Sequence, residues 1–473
     1  MSLGNRQIVS TARFRRLRAA GKGLSSFGNL AEAVRMVIKR LGELTPGARR
    51  MPMNSDQPNP RALLESSQTT FAEPYTSPSA SRLRSSTIGI MGIVVVALAL
   101  RPSLVSVGPA LAQIQTHFSL QHWVASLLTA IPDLLMGLLA LPAPWLAHRF
   151  GRDRLIVAAL VILCLSTVAR AFSWNVAFLL LTTVGIGAGI AISGALLSGF
   201  VKAAFAKRAA SVMGIYATAL SLGSTCSALI SAPLAAGPGG WRLAIGIWGI
   251  VGIGAILAWV IVMQSEVTLD AARAGSGRAR PALPWRNRTA WRLAAFFAAV
   301  NLIFYALLAW IAPMYLEAGV AQDQVGLLLG VFTGIFTVSS FVVGWLSRDV
   351  DRRMWLFGCS IVTAVGLVML SFTGAGTAFL AVTVVALGLG GAFTLAMTLP
   401  LDNTTSPEET NAWTAFSLTI GYIVAAAGPL MMGALRDFSG AFAGAIYVLV
   451  VLAIGMAGLS VTLRPREASS APA

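Results

Sequence analysis

Ala143-Pro144-Trp145-Leu146 is followed by His148-Arg149-Phe150-Gly151-Arg152, and 200 positions later Val343-Gly344-Trp345-Leu346 is followed by Arg348-Asp349-Val350-Asp351-Arg352. The offset is constant. Ala125-Ser126-Leu127-Leu128 falls on Val325-Gly326-Leu327-Leu328, so residues 120–154 overlay 320–354. Each copy is an apolar run closed by a short charged turn. Self-similarity at a fixed offset means one structural unit used twice.

The chain around the two copies is too apolar for water. Of its 473 residues 56% are hydrophobic and 11% charged, with a mean hydropathy of +0.75. Soluble domains carry roughly 25% charged residues. A cytosolic enzyme is therefore excluded. A disulfide scaffold is excluded as well, because the three cysteines, Cys164, Cys226 and Cys359, sit inside apolar runs as expected packing residues. An all-α integral membrane protein remains.

A helix needs about 20 residues to cross a hydrocarbon core of about 30 Å. Twelve runs qualify: 87–110, 123–146, 154–172, 175–199, 210–234, 242–263, 291–316, 324–347, 354–373, 377–401, 411–435 and 441–463. With a cytoplasmic N-terminus, 31 of the 35 Lys and Arg fall on the cytoplasmic side. Arg170, Arg242 and Arg436 fall on the other, and Arg101 falls within a span. The positive-inside rule then predicts both termini in the cytoplasm. The net charge of +17 follows this topology rather than one basic stripe, so no nucleic-acid partner is expected.

The expected organisation is a basic leader (1–86), a six-helix bundle (87–263), a cytoplasmic linker (264–290), a second six-helix bundle (291–463) and a short tail (464–473). Leu30, Val34, Val37, Ile38, Leu41 and Leu44 recur at helical spacing opposite Arg35, Lys39 and Arg40, which suits a helix lying on anionic lipid over 30–44. Thr45 to Ser86 reads as a polar linker. A true start at Met51 or Met53 accounts for the leader equally well.

The charged turns resemble the signature of the major facilitator superfamily, Gly-x-x-x-Asp-Arg-x-Gly-Arg-Arg. In the first copy Pro144 and His148 replace Gly and Asp, while Arg149, Gly151 and Arg152 remain; the second keeps Gly344, Asp349, Arg352 and Arg353. Several phrases resemble the cyanate and nitroimidazole transporter branch. They are Leu100-Arg101-Pro102 with Val107-Gly108-Pro109, Leu128-Thr129-Ala130-Ile131-Pro132, Phe304-Tyr305-Ala306-Leu307-Leu308-Ala309-Trp310 with Pro313, Gly240-Trp241-Arg242, and Gly421-Tyr422 with Gly428-Pro429. The resemblance covers about 87–463 and implies secondary transport of a small anionic or weakly acidic solute, cyanate-like or a small organic anion, across a bacterial inner membrane. Because these basic turns lie at repeat-related cytoplasmic positions, they are expected to act in gating. Asp133 and Leu418 depart from the branch, where an apolar residue and a polar amide are usual.

No catalytic constellation, phosphate loop, cofactor motif or metal-ligand spacing occurs, so no enzyme activity, cofactor or metal is expected. His117, His122 and His148 read as solvated or interfacial residues. Gly185-Ile186-Gly187-Ala188-Gly189 and Gly388-Leu389-Gly390-Gly391 read as close-packing helix faces.

The intramembrane charges read from the sequence are Arg101 and Asp133, and each needs a partner or a water-lined site. Helical rise puts Arg101 about 22 Å from Ser86 and Asp133 about 15 Å from Trp123, levels about 7 Å apart before tilt. Arg101 is the candidate anion ligand and Asp133 the candidate proton-coupling group or counter-ion. Setting Pro109 on Pro313, as the repeat suggests, brings Tyr305 opposite Arg101. Asn301 lies one turn earlier on the same face. With Trp310 and Tyr422 these residues can complete a small-anion site, although Trp310 also suits an interface anchor. The expected partners are a small solute and the lipid bilayer, with a monomeric functional unit. Proton-coupled drug efflux and a non-transporting membrane sensor are the alternative functions.

Overall fold

The computed structural model describes residues 80–205, 208–265, 283–347, 351–372 and 377–463. The expected lipid-surface helix over 30–44, most of the linker, Asp349 and the tail lie outside the described residues.

Among the described residues twelve helices are long and apolar enough to cross a membrane. They are α1 Ser86–Phe118, α2 His122–Ala140, α3 Arg152–Ala171, α4 Val176–Ala204, α5 Ser211–Ala236, α6 Gly240–Met263, α7 Arg288–Glu317, α8 Gln322–Leu346, α9 Arg353–Phe372, α10 Ala378–Asp402, α11 Glu409–Ser439 and α12 Ala443–Thr462. Several start where polar side chains take up the free amides of a first turn. Asn175 accepts from Phe178 N at 2.8 Å ahead of α4, and Asn287 accepts from Thr289 N at 2.8 Å and Ala290 N at 3.2 Å at the start of α7. The Asn287 cap extends α7 three residues before its expected start.

Packing repeats as the sequence does. In the first bundle α4 lies against α2 and α3, and α3 against α6; in the second α10 lies against α8 and α9, and α9 against α12. Small residues allow this closeness. A Cβ at Gly189 would lie 2.7 Å from Ala159 O on α3, and one at Gly388 2.5 Å from Thr363 N on α9. Both glycine-rich runs are thus close-packing faces. The bundles meet through α2 on α11, α5 on α8, and α1 on α7.

Cys164 and Cys359 are buried as expected, whereas Cys226 is exposed. The α5 turn carrying Cys226 puts its neighbours Thr225 and Ser227 into hydrogen bonds with Thr333 and Pro102 O instead.

Candidate substrate site

Arg101 stands at a break in α1. Helix Ala80–Leu100 ends just before it, a four-residue helix Pro102–Val105 follows, and Val107–Phe118 resumes after Ser106. Pro102 has no amide for Leu98 O, and Pro109 none for Val105 O, so the ladder fails twice within one span. Neighbouring spans hold the loosened piece. Ser227 Oγ on α5 donates to Pro102 O at 3.0 Å, and Ser103 Oγ and Thr167 Oγ1 on α3 are hydrogen-bonded at 2.8 Å. Glycine lets α5 approach: a Cβ at Gly223 would fall 2.5 Å from Leu98 O.

The Arg101 guanidinium reaches across to the second bundle. Its Nη1 donates to Tyr305 Oη on α7 at 2.6 Å, with Cζ 5.8 Å from the Tyr305 ring centre. Tyr422 on α11 packs edge-on against Tyr305, ring centres 6.2 Å apart, and Tyr422 and Tyr216 on α5 lie within electrostatic range of the guanidinium. One phenol therefore bonds this cation, and two more from other spans lie within its electrostatic range. A neutral phenol accepts a hydrogen bond without cancelling the charge, so the guanidinium keeps its attraction for an anion.

Asn301, one turn before Tyr305, is 2% exposed, and its Nδ2 donates to Phe297 O at 2.8 Å. Asp133 is fully buried, and neither carboxylate oxygen has a hydrogen-bond partner. It lies within electrostatic range of Arg101, but the two form no ion pair. Leu418 is half-buried one turn before Tyr422.

Trp310 is placed elsewhere. It is fully buried, its Nε1 donates to Pro429 O at 3.0 Å, and its ring lies beside His122 and Phe442 at 5.6 Å and 5.4 Å. That is the end of the molecule where α1 passes into α2. There His122, partly exposed at the start of α2, is the hub of a cluster spanning both bundles. Its Nδ1 lies 2.6 Å from Asp437 Oδ1 and its Nε2 3.5 Å from Glu317 Oε1, while Arg436 Nη2 holds Glu317 Oε2 at 3.0 Å. Ser126 Oγ donates to Pro429 O at 2.8 Å and Gln322 Nε2 to Pro109 O at 2.8 Å, closing the same end.

At the opposite end lie the charged turns. Arg152 Nη2 meets Asp153 Oδ2 at 3.3 Å, and its guanidinium lies 4.9 Å from the Phe200 ring at the foot of α4. Arg352 Nε meets Asp402 Oδ2 at 3.3 Å at the foot of α10 and also bonds Thr398. The two arginines thus hold repeat-related helix ends, each within its own bundle. Arg353 pairs with Asp351 at 2.6 Å, and Arg149 lies 6.0 Å from the Trp145 ring. Gly151 has φ 85°, where a side chain would be strained, and a Cβ at Gly344 would lie 2.8 Å from Thr394 Cγ2 on α10. Lys202 Nζ donates to Asn411 Oδ1 at 2.8 Å across the bundles.

Sequence reasoning counted Arg170 with the charges of the non-cytoplasmic side, but it is 1% exposed in the last turn of α3. The signal was present, since Ile156, Leu160, Leu163, Thr167 and Arg170 form one stripe at helical spacing. Nothing local marked Tyr216 or the His122 partners, which come from distant spans. Among the described residues no group of His, Cys, Asp or Glu is placed to hold a metal ion.

The family model of the Major Facilitator Superfamily matches residues 90–321 and 311–473. The cyanate transport protein CynX of Escherichia coli (strain K12) is 30% identical over 351 residues, 74% of this chain and 90% of the relative. The 2-nitroimidazole transporter of the same organism is 27% identical over 371 residues, covering 78% and 93%. A solved bacterial homolog of the human lysosomal transporter Spinster, in an inward-facing and occupied conformation, superimposes with a TM-score of 0.68 at 18% identity, covering 80% of this chain and 96% of that one. The twelve spans, the repeated packing and these likenesses agree: the chain belongs to the major facilitator superfamily, and it is a membrane transporter rather than an enzyme.

Proposed function

We propose that this transporter moves a small anionic or weakly acidic solute, cyanate-like or a small organic anion, by alternating access across a bacterial inner membrane. In this reading both termini are cytoplasmic, so the His122 end faces outward and the charged turns face the cytoplasm. The observation that carries it is the guanidinium of Arg101, set at the break of α1 and hydrogen-bonded to a neutral phenol instead of a carboxylate. The fork of donors on arginine matches a planar or linear anion. The likeness to transporters named for cyanate and 2-nitroimidazole supports the same class.

Asp133 supplies the coupling step. A buried carboxylate without hydrogen-bond partners is costly as an anion, so Asp133 is the group placed to take up and release a proton as the site opens or Arg101 moves. Protonation of Asp133 and anion capture by Arg101 are then linked through their shared field, and a proton gradient drives the solute. The cluster around His122 is the outer closure, and it must part in the opposite state.

The test is uptake into proteoliposomes of labelled cyanate, lactate and the cation tetraphenylphosphonium, with and without an imposed pH gradient. Saturable anion uptake that Arg101→Ala abolishes is the expected result. Movement of the cation alone would favour drug efflux, and no movement of any solute would favour a sensor.

A further inference from the structure

Arg170 is a permanent cation to which the transport scheme gives no part. A charge withdrawn from water needs a counter-ion or a full set of hydrogen bonds. The partners of Arg170 are neutral. Nη1 donates to Ser103 O at 3.0 Å, Nη2 to Thr183 Oγ1 at 2.8 Å and, more weakly, to Leu128 O at 3.5 Å, while Nε has no partner.

The places of these acceptors set Arg170 apart from an ordinary buried arginine. Ser103 lies two residues after Arg101, in the short helix between the two breaks of α1. Leu128 lies four residues before Pro132, which sits inside α2 and has no amide hydrogen to offer that carbonyl. The guanidinium therefore reaches a carbonyl that Pro132 leaves open, and the residue after Pro132 is Asp133. One side chain on α3 thus bridges the loosened piece of α1 beside Arg101 and, by a longer contact, the α2 carbonyl that Pro132 leaves open one turn before Asp133. Thr167, one turn earlier on α3, binds Ser103 Oγ and holds the same piece of α1 from a second point. An ammonium has no planar fork and cannot reproduce this set of contacts.

We propose that Arg170 is a positioning residue of the central site, which fixes Arg101 and Asp133 relative to one another by joining the backbone of α1 at its break to the backbone of α2 at the carbonyl left open by Pro132. The uptake test of this role rests on the anion reading above, while a labelling test does not.

In proteoliposomes of the full chain with labelled cyanate and lactate, Arg170→Lys and Arg170→Gln should each raise KM about tenfold, with maximal rate changed less than about threefold. Thr183→Val keeps the charge and removes one acceptor, and should raise KM about threefold. Wild-type KM in Arg170→Lys would overturn the proposal, because charge alone would then suffice. If the Arg170 variants fail to accumulate, Thr183→Val decides, and an unchanged KM there reduces Arg170 to a folding role and overturns the proposal.

The second readout needs no substrate. With Cys226→Ser as background and Tyr216→Cys as reporter, the rate ratio of anionic to cationic methanethiosulfonate labelling follows the placement of the Arg101 charge. Arg170→Lys and Thr183→Val both retain charge, so a fall in this ratio by about twofold or more reports displacement of Arg101. If the wild type moves neither probe anion, the anion reading fails by itself. An unchanged labelling ratio in both variants would sink the positioning role whatever the substrate.

Discussion

His122 and Asp437 stand 315 residues apart in the chain and 2.6 Å apart in the fold. The same carboxylate accepts the backbone amides of His122 at 3.0 Å and Trp123 at 2.9 Å. Gln121 precedes α2 without a side-chain cap, so the free amides of its first turn are bonded by an acid from the other bundle. Negative charge at a helix N-terminus is favourable, and this cap exists only while the bundles touch. Closure of that end is therefore stabilised by a bond that opening must break.

Asp437→Ala should weaken the closure by about 1 kcal/mol, the usual cost of a lost cap. A cysteine at Thr129, buried one turn deeper than Ser126 on α2, should then react several-fold faster with an impermeant maleimide added from the His122 side. Equal labelling rates in Asp437→Ala and the parent would show that the cluster does not set the balance of states.

Tyr305→Phe removes the oxygen that accepts from Arg101 Nη1 but keeps the ring packed against Tyr422 and Phe304. Loss of a hydrogen bond to a charged group is worth about 1.5–3 kcal/mol, so anion affinity should fall about tenfold or more. Arg101→Ala should abolish saturable uptake, and Arg101→Lys should not restore it. Normal anion transport by Arg101→Ala would remove Arg101 from the site.

Asp133→Asn keeps the shape of a protonated carboxyl and cannot release a proton. Anion binding, measured by thermal shift with cyanate, should be retained, while the response of uptake to a pH gradient should disappear. If that response is unaltered, Asp133 is a structural group and the coupling proton is carried elsewhere.

Arg152 and Arg352 hold the feet of α4 and α10 through Phe200 and Asp402. Replacing both by Gln should shift the balance of the two access states, read as opposite changes in cysteine labelling from the two membrane faces. Unchanged labelling on both faces would leave these arginines a role in topology alone. Asp351 differs from them. Hydrogen bonds from the Arg353 side chain, and then from the Arg353 backbone amide, hold the Asp351 carboxyl below the usual range. The pair is exposed, and its removal should leave the labelling pattern as it is.

The sequence by itself determined the architecture. Apolar runs of membrane length, the side on which Lys and Arg gather and an offset of 200 residues are local or periodic properties, and no contact needs to be known to read them. The break in α1 is also written in residue type, because Pro102 and Pro109 lack the amide that a helix needs. Arg101 and Asp133 were legible because a charge within an apolar run is conspicuous, and the repeat brought Tyr305 to Arg101.

Tertiary structure decided what depends on rotation of one helix against another. Arg101 bonds a phenol rather than Asp133 because α7 brings Tyr305 to its guanidinium. Trp310 turns toward Pro429 and His122 at the far end of α7, a choice that sequence spacing leaves open. Arg170 sits near the end of its span, where counting residues puts it at the membrane surface, yet α1, α2 and α4 close over it and supply its acceptors. The His122 cluster joins residues from α2, α7 and α11. Such partners are far apart along the chain, and only the packing of two bundles brings them within the few ångströms over which hydrogen bonds and ion pairs act.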